Sequence, residues 1–217
     1  MSKEDYFNWV TSWLKECYRV LKPDGRIAIN IPFEVNMKKS NDGRVFISSE
    51  YWQIMKSIGF NCFGLVRLNE AASQRVKYTA WGSWLSPSCP YIYLAEECLI
   101  LAYKDFDKKL NSGESDLTKQ EFIELVSGKW NYRAETKGLT MANFSLDIPM
   151  KAIKLLTWKG ETVLDCFCGS GTTGVAAIKL GREFIGFEIS QNYYKIAVDR
   201  IQHEVDKKNC ALNDMFE

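Results

Sequence analysis

Apolar positions near the start of the chain fall on a helical rhythm: Tyr6, Trp9, Val10, Trp13, Leu14, Cys17, Tyr18 and Leu21. That spacing predicts an amphipathic helix with Trp9 and Trp13 on its core face. Ser2 followed by Asp5 is close to a capping box and sets its start. Lys22-Pro23-Asp24-Gly25 stops it: proline fixes one dihedral and glycine permits a positive one. The pattern then changes to a short apolar run, Arg26–Ile31, which reads as a buried strand ended by Pro32. Residues 34–48 are polar and read as loop, Ser49–Lys56 as a short helix ended by Gly59, and Asn61–Leu68 as a strand. From Asn69 to Tyr93 the chain is irregular and rich in Trp, Ser and Pro; Glu97–Tyr103 is a further buried strand. A charged connection over 104–117 leads to a second capping box, Thr118 with Glu121, for a helix through Val126.

The last third is more regular. Asp147–Thr157 reads as a helix, Glu161–Asp165 as a strand, Thr172–Leu180 as a helix, Glu183–Phe187 as a strand, and a final helix capped by Ser190 runs past Arg200. Alternating strands and helices predict an α/β fold with a doubly wound, mainly parallel sheet. No repeat or low-complexity tract interrupts it.

Composition adds exclusions. The chain has 217 residues, 46% apolar and 25% charged, which is enough for one soluble globular domain. No apolar run is long enough to cross a bilayer, and the polar opening does not read as a signal peptide, so a cytoplasmic protein is expected. Seven cysteines lack any C-x-x-C pair, and the only histidine, His203, is expected on the surface of the last helix. No metal site is expected, and an odd number of cysteines suits free thiols in a reducing compartment. A net charge of +1 neither announces nor excludes a nucleic-acid partner. Lys38, Lys39 and Arg44, and separately Arg67, Arg75 and Lys77, form small basic groups that serve equally as solvated surface.

The chemistry sits between the strand ending at Asp165 and the next helix. Gly169, Gly171 and Gly174 satisfy G-x-G-x-x-G, and Glu188 closes the following strand, 23 residues after Asp165. Glycines there let the backbone approach a ligand, and an acid at that position reaches ribose hydroxyls. The plain alternative is a tight α/β turn whose glycines serve packing alone. Two cofactor readings compete. A dinucleotide site places its first glycine directly after the strand and continues into further βαβ units. Here Asp-Cys-Phe-Cys intervenes, and mostly one helix remains after Glu188. S-adenosylmethionine suits this arrangement better. It has no phosphates, and it needs an acid for its ribose, an apolar slot for adenine and room for an amino-acid tail.

The run DCFCGSGTT resembles the D-P-F-x-G-S-G-T-T loop of DNA adenine-N6 and cytosine-N4 methyltransferases. Asp165, Phe167, Gly169, Ser170, Gly171, Thr172 and Thr173 match, and Cys166 stands where the family has proline. FIGFEIS resembles the family's next strand, with Glu188 as ribose ligand. YFNWVTSWLKECYRVLKPDGRIAINIP resembles the helix and strand that follow the family's catalytic motif. WGSWLSPSCPY, ECLILAYK, and SDLTKQEF with Trp130 resemble the active-site loop, the next strand and the linker, in the order of the permuted group whose catalytic half comes first.

The resemblance implies a Rossmann-like S-adenosylmethionine methyltransferase in one domain. Residues 1–105 would form the catalytic, target-facing half, 106–139 a linker and 140–205 the cofactor half. It implies a cofactor set of Asp165, Phe167, Cys168, Gly169, Ser170, Gly171, Thr172, Thr173 and Glu188, joined by Ala142 and Phe144 where the family carries H-P-A-x-F-P or H-P-T-x-K-P. It implies a pocket for the target base at Trp81, Ser83, Trp84, Ser86 and Pro87; the two tryptophans could equally pack on the sheet. Double-stranded DNA is the implied partner, and the WGSW loop leans the target toward cytosine N4 rather than adenine N6.

The family's D-P-P-Y or S-P-P-Y tetrapeptide is not in the sequence. Its first residue accepts the N–H bonds of an exocyclic amine whose lone pair is otherwise delocalised, and its Tyr stacks on the flipped base. The expectation is therefore a chain that lacks the strand preceding its first helix. A displaced start, a homodimer or partner subunit that supplies the strand, and an inactive remnant of a restriction–modification system each account for this. Two rival functions stay open: a non-catalytic protein that keeps the cofactor fold, and a methyltransferase acting on RNA or protein.

Overall fold

The computed structural model describes residues 2–36, 43–70, 96–109, 113–133 and 145–213. The chain divides into two compact units, Met1–Lys109 with Gly128–Asn131, and Leu110–Ser127 with Tyr132–Glu217.

In the first unit, helix α1 (Lys3–Val20) starts where the capping box predicts. Ser2 Oγ accepts the Asp5 amide at 3.0 Å, and Asp5 Oδ2 accepts the Ser2 amide at 3.2 Å. Val10 and Leu14 are the fully buried positions of this helix, and Trp13 packs partly buried beside them. Trp9 departs from expectation: it is 45% exposed. It lies one residue off the Tyr6–Val10–Leu14 line, which turns its indole to the flank of the helix, against Tyr6 and Trp13 at ring separations of 6.0 and 6.3 Å.

Strand β1 (Arg26–Pro32) leads into the segment expected to be loop. That segment instead holds a small antiparallel ladder, β2 (Val35–Asn36) on β3 (Arg44–Val45). Buried Glu34 forms an ion pair with Arg44 beside this ladder. The polar composition hid the ladder, because its strands are only two residues long. Helix α2 (Ile47–Ile58) begins two residues earlier than Ser49 and ends at Gly59. Strands β4 (Asn61–Glu70) and β5 (Glu97–Tyr103) follow.

Both β1 and β4 pair antiparallel with β5, so β1 and β4 run the same way, as a strand–helix–strand crossover through α2 requires. Strand β5 fills the slot between them in a sheet ordered β1-β5-β4-β6, where β6 is Lys129–Tyr132. Ile29 faces Ile100 and Ile31 faces Cys98 across the ladder. Together with Ala102 these side chains make the sheet face that meets Val10 and Leu14 of α1 and Tyr51 and Met55 of α2. Burial in that layer lifts the Cys98 thiol to about 12, with the Glu97 charge adding to it. Strand β6 lies within the expected linker. Its one apolar anchor, Trp130, is 2% exposed, and the Arg67 amide donates to Gly128 O at 2.9 Å beside it.

In the second unit, α3 (Lys119–Leu125) has both capping-box bonds. Helix α4 (Asp147–Leu156), strand β7 (Thr162–Asp165), helix α5 (Thr172–Lys179), strand β8 (Glu183–Gly186) and helix α6 (Gln191–Asn213) then follow within about two residues of expectation. β7 and β8 pair in parallel, Thr162 opposite Glu183 through Asp165 opposite Gly186. Helix α5 is the crossover between them. Its buried residues Ala176 and Ala177 are small enough for close packing against Ile153 and Phe184. The α/β class is thus realised by this parallel pair and by the crossover in the first unit, with β5 running against its neighbours. Among the described residues no helix is long and apolar enough to cross a membrane, and no group of three His, Cys, Asp or Glu could hold a metal ion.

Candidate functional site

Strand β7 delivers Asp165 to the sheet's carboxyl end, and β8 delivers the chain to Glu188 beside it. The ladder continues past both strands: the Phe187 amide donates to Asp165 O and the Cys168 amide to Phe187 O, each at 2.9 Å. The first residues of the glycine loop are therefore held against the residues leading to Glu188. Asp165 turns the chain by accepting the Phe167 amide on Oδ1 at 3.0 Å.

Glu188 is the centre of the arrangement. One carboxylate oxygen accepts the Gly169 amide at 2.8 Å and the other accepts the Ser190 amide at 2.8 Å. Two backbone donors therefore fix the carboxylate between the loop and the start of α6. A carboxylate offers about four acceptor positions, so capacity remains for about two further donors.

Gly171, at φ 80°, forms the corner where the loop enters α5. A Cβ there would lie 3.0 Å from both Cα and Cβ of Ala197 on α6, so the position is closed to larger residues in shape as well as in conformation. Thr172, the first residue of α5, is buried, whereas Thr173 and Ser170 are half-buried.

Cys168 is 8% exposed. Burial, reinforced by the Asp165 and Glu188 charges, pushes its thiol up to about 11. At neutral pH it is a packed, protonated thiol and no nucleophile. Its contribution to the loop is its backbone and its bulk. Cys166, half-buried and in no disulfide, precedes Phe167 in the loop.

Around these polar groups the apolar side chains are exposed: Phe167 by 54%, Phe187 by 60% and Ile189 by 98%. Phe167 was expected in the site. Phe187 and Ile189 were not singled out, although their alternation around Glu188 in FEIS is legible in the sequence. Arg200 is a further member that sequence reading passed over. Its guanidinium Nη1 donates to Ser170 O at 2.6 Å, Ser170 Oγ at 2.9 Å and Thr172 Oγ1 at 3.2 Å. Nothing distinguishes it in the sequence from the other charges of α6.

The structure thus brings together Asp165, Phe167, Cys168, Gly169, Ser170, Gly171, Thr172, Thr173 and Glu188 in one loop-and-strand-end cluster. Trp81, Ser83, Trp84, Ser86 and Pro87 lie outside the described residues, as do Ala142 and Phe144.

Residues 1–199 match the profile of the N6/N4 methyltransferase family, DNA methylase. Type II methyltransferase M.MjaVI of Methanocaldococcus jannaschii is 38% identical over 134 residues, which cover 62% of this chain and 66% of that protein. The match therefore spans just under two thirds of that relative's length. Among solved structures, the putative DNA modification methylase TTHA0409 of Thermus thermophilus, in complex with S-adenosyl-L-methionine, superposes with a TM-score of 0.74 at 21% identity, over 93% of this chain and 79% of that one. PvuII DNA methyltransferase, cytosine-N4-specific, gives a TM-score of 0.69 at 19% identity, over 97% of this chain and 78% of that one. These likenesses show a shared fold.

Proposed function

Because the chain belongs to the N6/N4 DNA methylase family, we propose that it is a cytoplasmic DNA amino-methyltransferase. It would move a methyl group from S-adenosylmethionine to an exocyclic amine in duplex DNA, with cytosine N4 favoured over adenine N6. The observation that carries the reading is Glu188. Its carboxylate is fixed by the Gly169 and Ser190 amides and keeps acceptor capacity for two donors, which is what the vicinal hydroxyls of a ribose require.

The other residues fit the same ligand. Phe167, Phe187 and Ile189 supply exposed apolar surface for an adenine ring on either side of that acid. The cluster around Glu188 is acidic and apolar, which suits a nucleoside better than a phosphate. When bound, the cofactor supplies a sulfonium-activated methyl group. The chain's own contribution is to hold and orient it, and positioning accounts for much of the acceleration of such a transfer.

The preference for cytosine rests on the Trp81-Gly82-Ser83-Trp84-Leu85-Ser86-Pro87 loop, with Trp81, Ser83, Trp84, Ser86 and Pro87 proposed for the target-base pocket. No acceptor for the target amine is assigned, since no D-P-P-Y or S-P-P-Y occurs in the sequence. A second reading is a non-catalytic subunit or remnant that keeps the cofactor site.

Calorimetric titration of S-adenosylmethionine into the chain tests the site. Binding that Asp165→Ala and Glu188→Ala both weaken by about tenfold or more is expected. No binding to the folded chain would defeat the assignment. Supplying a D-P-P-Y or S-P-P-Y strand ahead of α1 and digesting treated DNA to nucleosides then separates the readings. N4-methylcytosine supports the first, N6-methyladenine alone refutes its base preference, and no methylated base supports the non-catalytic subunit.

A further inference from the structure

Arg200 is placed to do more than tie α6 to the loop. Its Nη1 carries two hydrogens and meets three acceptors: Ser170 O, Ser170 Oγ and Thr172 Oγ1, at 2.6, 2.9 and 3.2 Å. One turn earlier on α6, Ala197 is buried against Gly171 so closely that no side chain fits there. Helix α6 therefore supports the Ser170–Thr172 peptide at two successive points.

The chemistry of the contact is directional. An arginine cannot accept a hydrogen bond, so each hydroxyl that meets it must be the acceptor. The hydrogens of Ser170 Oγ and Thr172 Oγ1 are then left to be given elsewhere. Among the described residues neither hydroxyl donates to another group. Two hydroxyl donors two residues apart at the start of α5, polarised by the same cation, match an anionic acceptor. Of the groups on S-adenosylmethionine, the carboxylate of the amino-acid tail is the one that is anionic. The ribose belongs with Glu188, and the ammonium and sulfonium are cationic.

We propose that Arg200 is a positioning residue for the carboxylate of the cofactor's amino-acid tail, acting through the hydroxyls of Ser170 and Thr172. The inference rests on the cofactor reading above. It divides the site into two ends: Glu188 for the nucleoside, and the Ser170–Thr172 pair, set by Arg200, for the tail.

A pair of ligands separates those ends. S-adenosylmethionine and 5′-deoxy-5′-methylthioadenosine share the adenosine; the first adds the amino-acid tail and a sulfonium charge, and comparing each variant with the wild type on both ligands isolates the tail. Dissociation constants of both are measured on the full chain and on Arg200→Ala, Arg200→Lys and Ser170→Ala, with melting temperatures alongside. Arg200→Ala and Ser170→Ala should weaken S-adenosylmethionine by about tenfold or more while changing methylthioadenosine by less than about twofold. Arg200→Lys keeps the charge but not the guanidinium fork, and should fall between. Equal losses for both ligands would mean that Arg200 merely holds the loop together, and would overturn the proposal. So would unchanged affinity for S-adenosylmethionine in Arg200→Ala, or a wild-type chain that binds the two ligands equally well. A wild-type chain that binds neither overturns the cofactor reading itself, and this proposal with it.

Discussion

The two units hold themselves together by different means. In the first, β1 and β5 present Ile29, Ile31, Cys98, Ile100 and Ala102 to Val10, Leu14, Tyr51 and Met55, all 8% exposed or less. Polar contacts there lie mostly at the margins. The second has an apolar core of its own around Ile153, Ala176 and Ala177, while Leu164 on β7 is 42% exposed and Ile185 on β8 is 50% exposed. To its packing it adds directed polar bonds: Glu188 on the Gly169 and Ser190 amides, Arg200 on Ser170 and Thr172, and Arg182 on four acceptor groups. Apolar packing is dense but non-directional. Polar bonds fix atoms in direction and do not survive loss of a partner.

The sharpest test of that contrast is Arg182. Its side chain is 0% exposed and forms a forked pair with Asp116 at 2.7 and 2.8 Å, while also donating to Thr157 Oγ1, Thr157 O and Leu180 O. Burial pushes the Asp116 carboxyl up, but the hydrogen bonds and charge of Arg182 outweigh it and leave it below the ordinary value. Arg182→Ala would strand that carboxylate and two carbonyls, at a cost of about 3–5 kcal/mol in urea unfolding. Next comes the counterpart in the first unit. Ile100 is fully buried between the helices and the sheet, and Ile100→Ala should cost about 2–5 kcal/mol. If Ile100→Ala proved nearly neutral while Arg182→Ala unfolded the chain, apolar packing would have been overrated. The reverse would remove the distinction between the units.

The same contrast explains what was legible in the sequence. Packing against a sheet generates periodicity, so α1, α2, β1 and β5 could be read from apolar spacing alone. The error at Trp9 came from treating the apolar stripe as wider than the two helical rows that touch the sheet. The β2–β3 ladder and β6 were missed because strands of two to four residues are too short to show a period. In the second unit the loop was read from residue identity at fixed spacing. The structure brings Asp165, the glycines and Glu188, read in this way, together at the strand ends. The same reading failed for Arg200, whose partners are 28 and 30 positions away and leave no local pattern. Phe187 and Ile189 were open to view, but exposed apolar residues acquire meaning only once their exposure is known.

Gly174 tests whether the second unit's helix packing is as close as its polar bonds are directed. A Cβ there would lie 2.5 Å from Ile201 Cδ1 and 2.7 Å from Phe184 Cε1. Gly174→Ala should therefore destabilise by about 1–3 kcal/mol, despite alanine's better helix propensity. A stabilised variant in thermal unfolding would show that α5, α6 and β8 have slack, and the third glycine of the motif would then have no packing role.

The smallest effect expected lies at the start of α3, and it separates polar bonds made in water from those made in the interior. Thr118 Oγ1 accepts the Glu121 amide at 3.1 Å, and Glu121 Oε2 accepts the Thr118 amide at 2.8 Å. Lys154 also reaches Glu121, and this bond, with the Thr118 amide, holds the carboxyl down at about 2, below its ordinary 4.5. Thr118→Ala should cost about 1 kcal/mol, less than any change above, because water replaces an exposed cap. The sign with pH follows from the lowered value. A carboxyl that binds its proton less readily when folded stabilises the fold above its unfolded pKa, and that stabilisation is lost as pH falls through the folded value. The advantage of the wild-type chain over Glu121→Gln in thermal unfolding should thus be full above about 4.5 and fade toward about 2. Since Glu121 is 41% exposed, added salt should shrink that advantage, whereas the Arg182 effect should withstand it. Equal salt sensitivity at the two sites would mean that Arg182 behaves as a solvated pair, and the second unit's polar bonds would then not differ in kind from a surface cap.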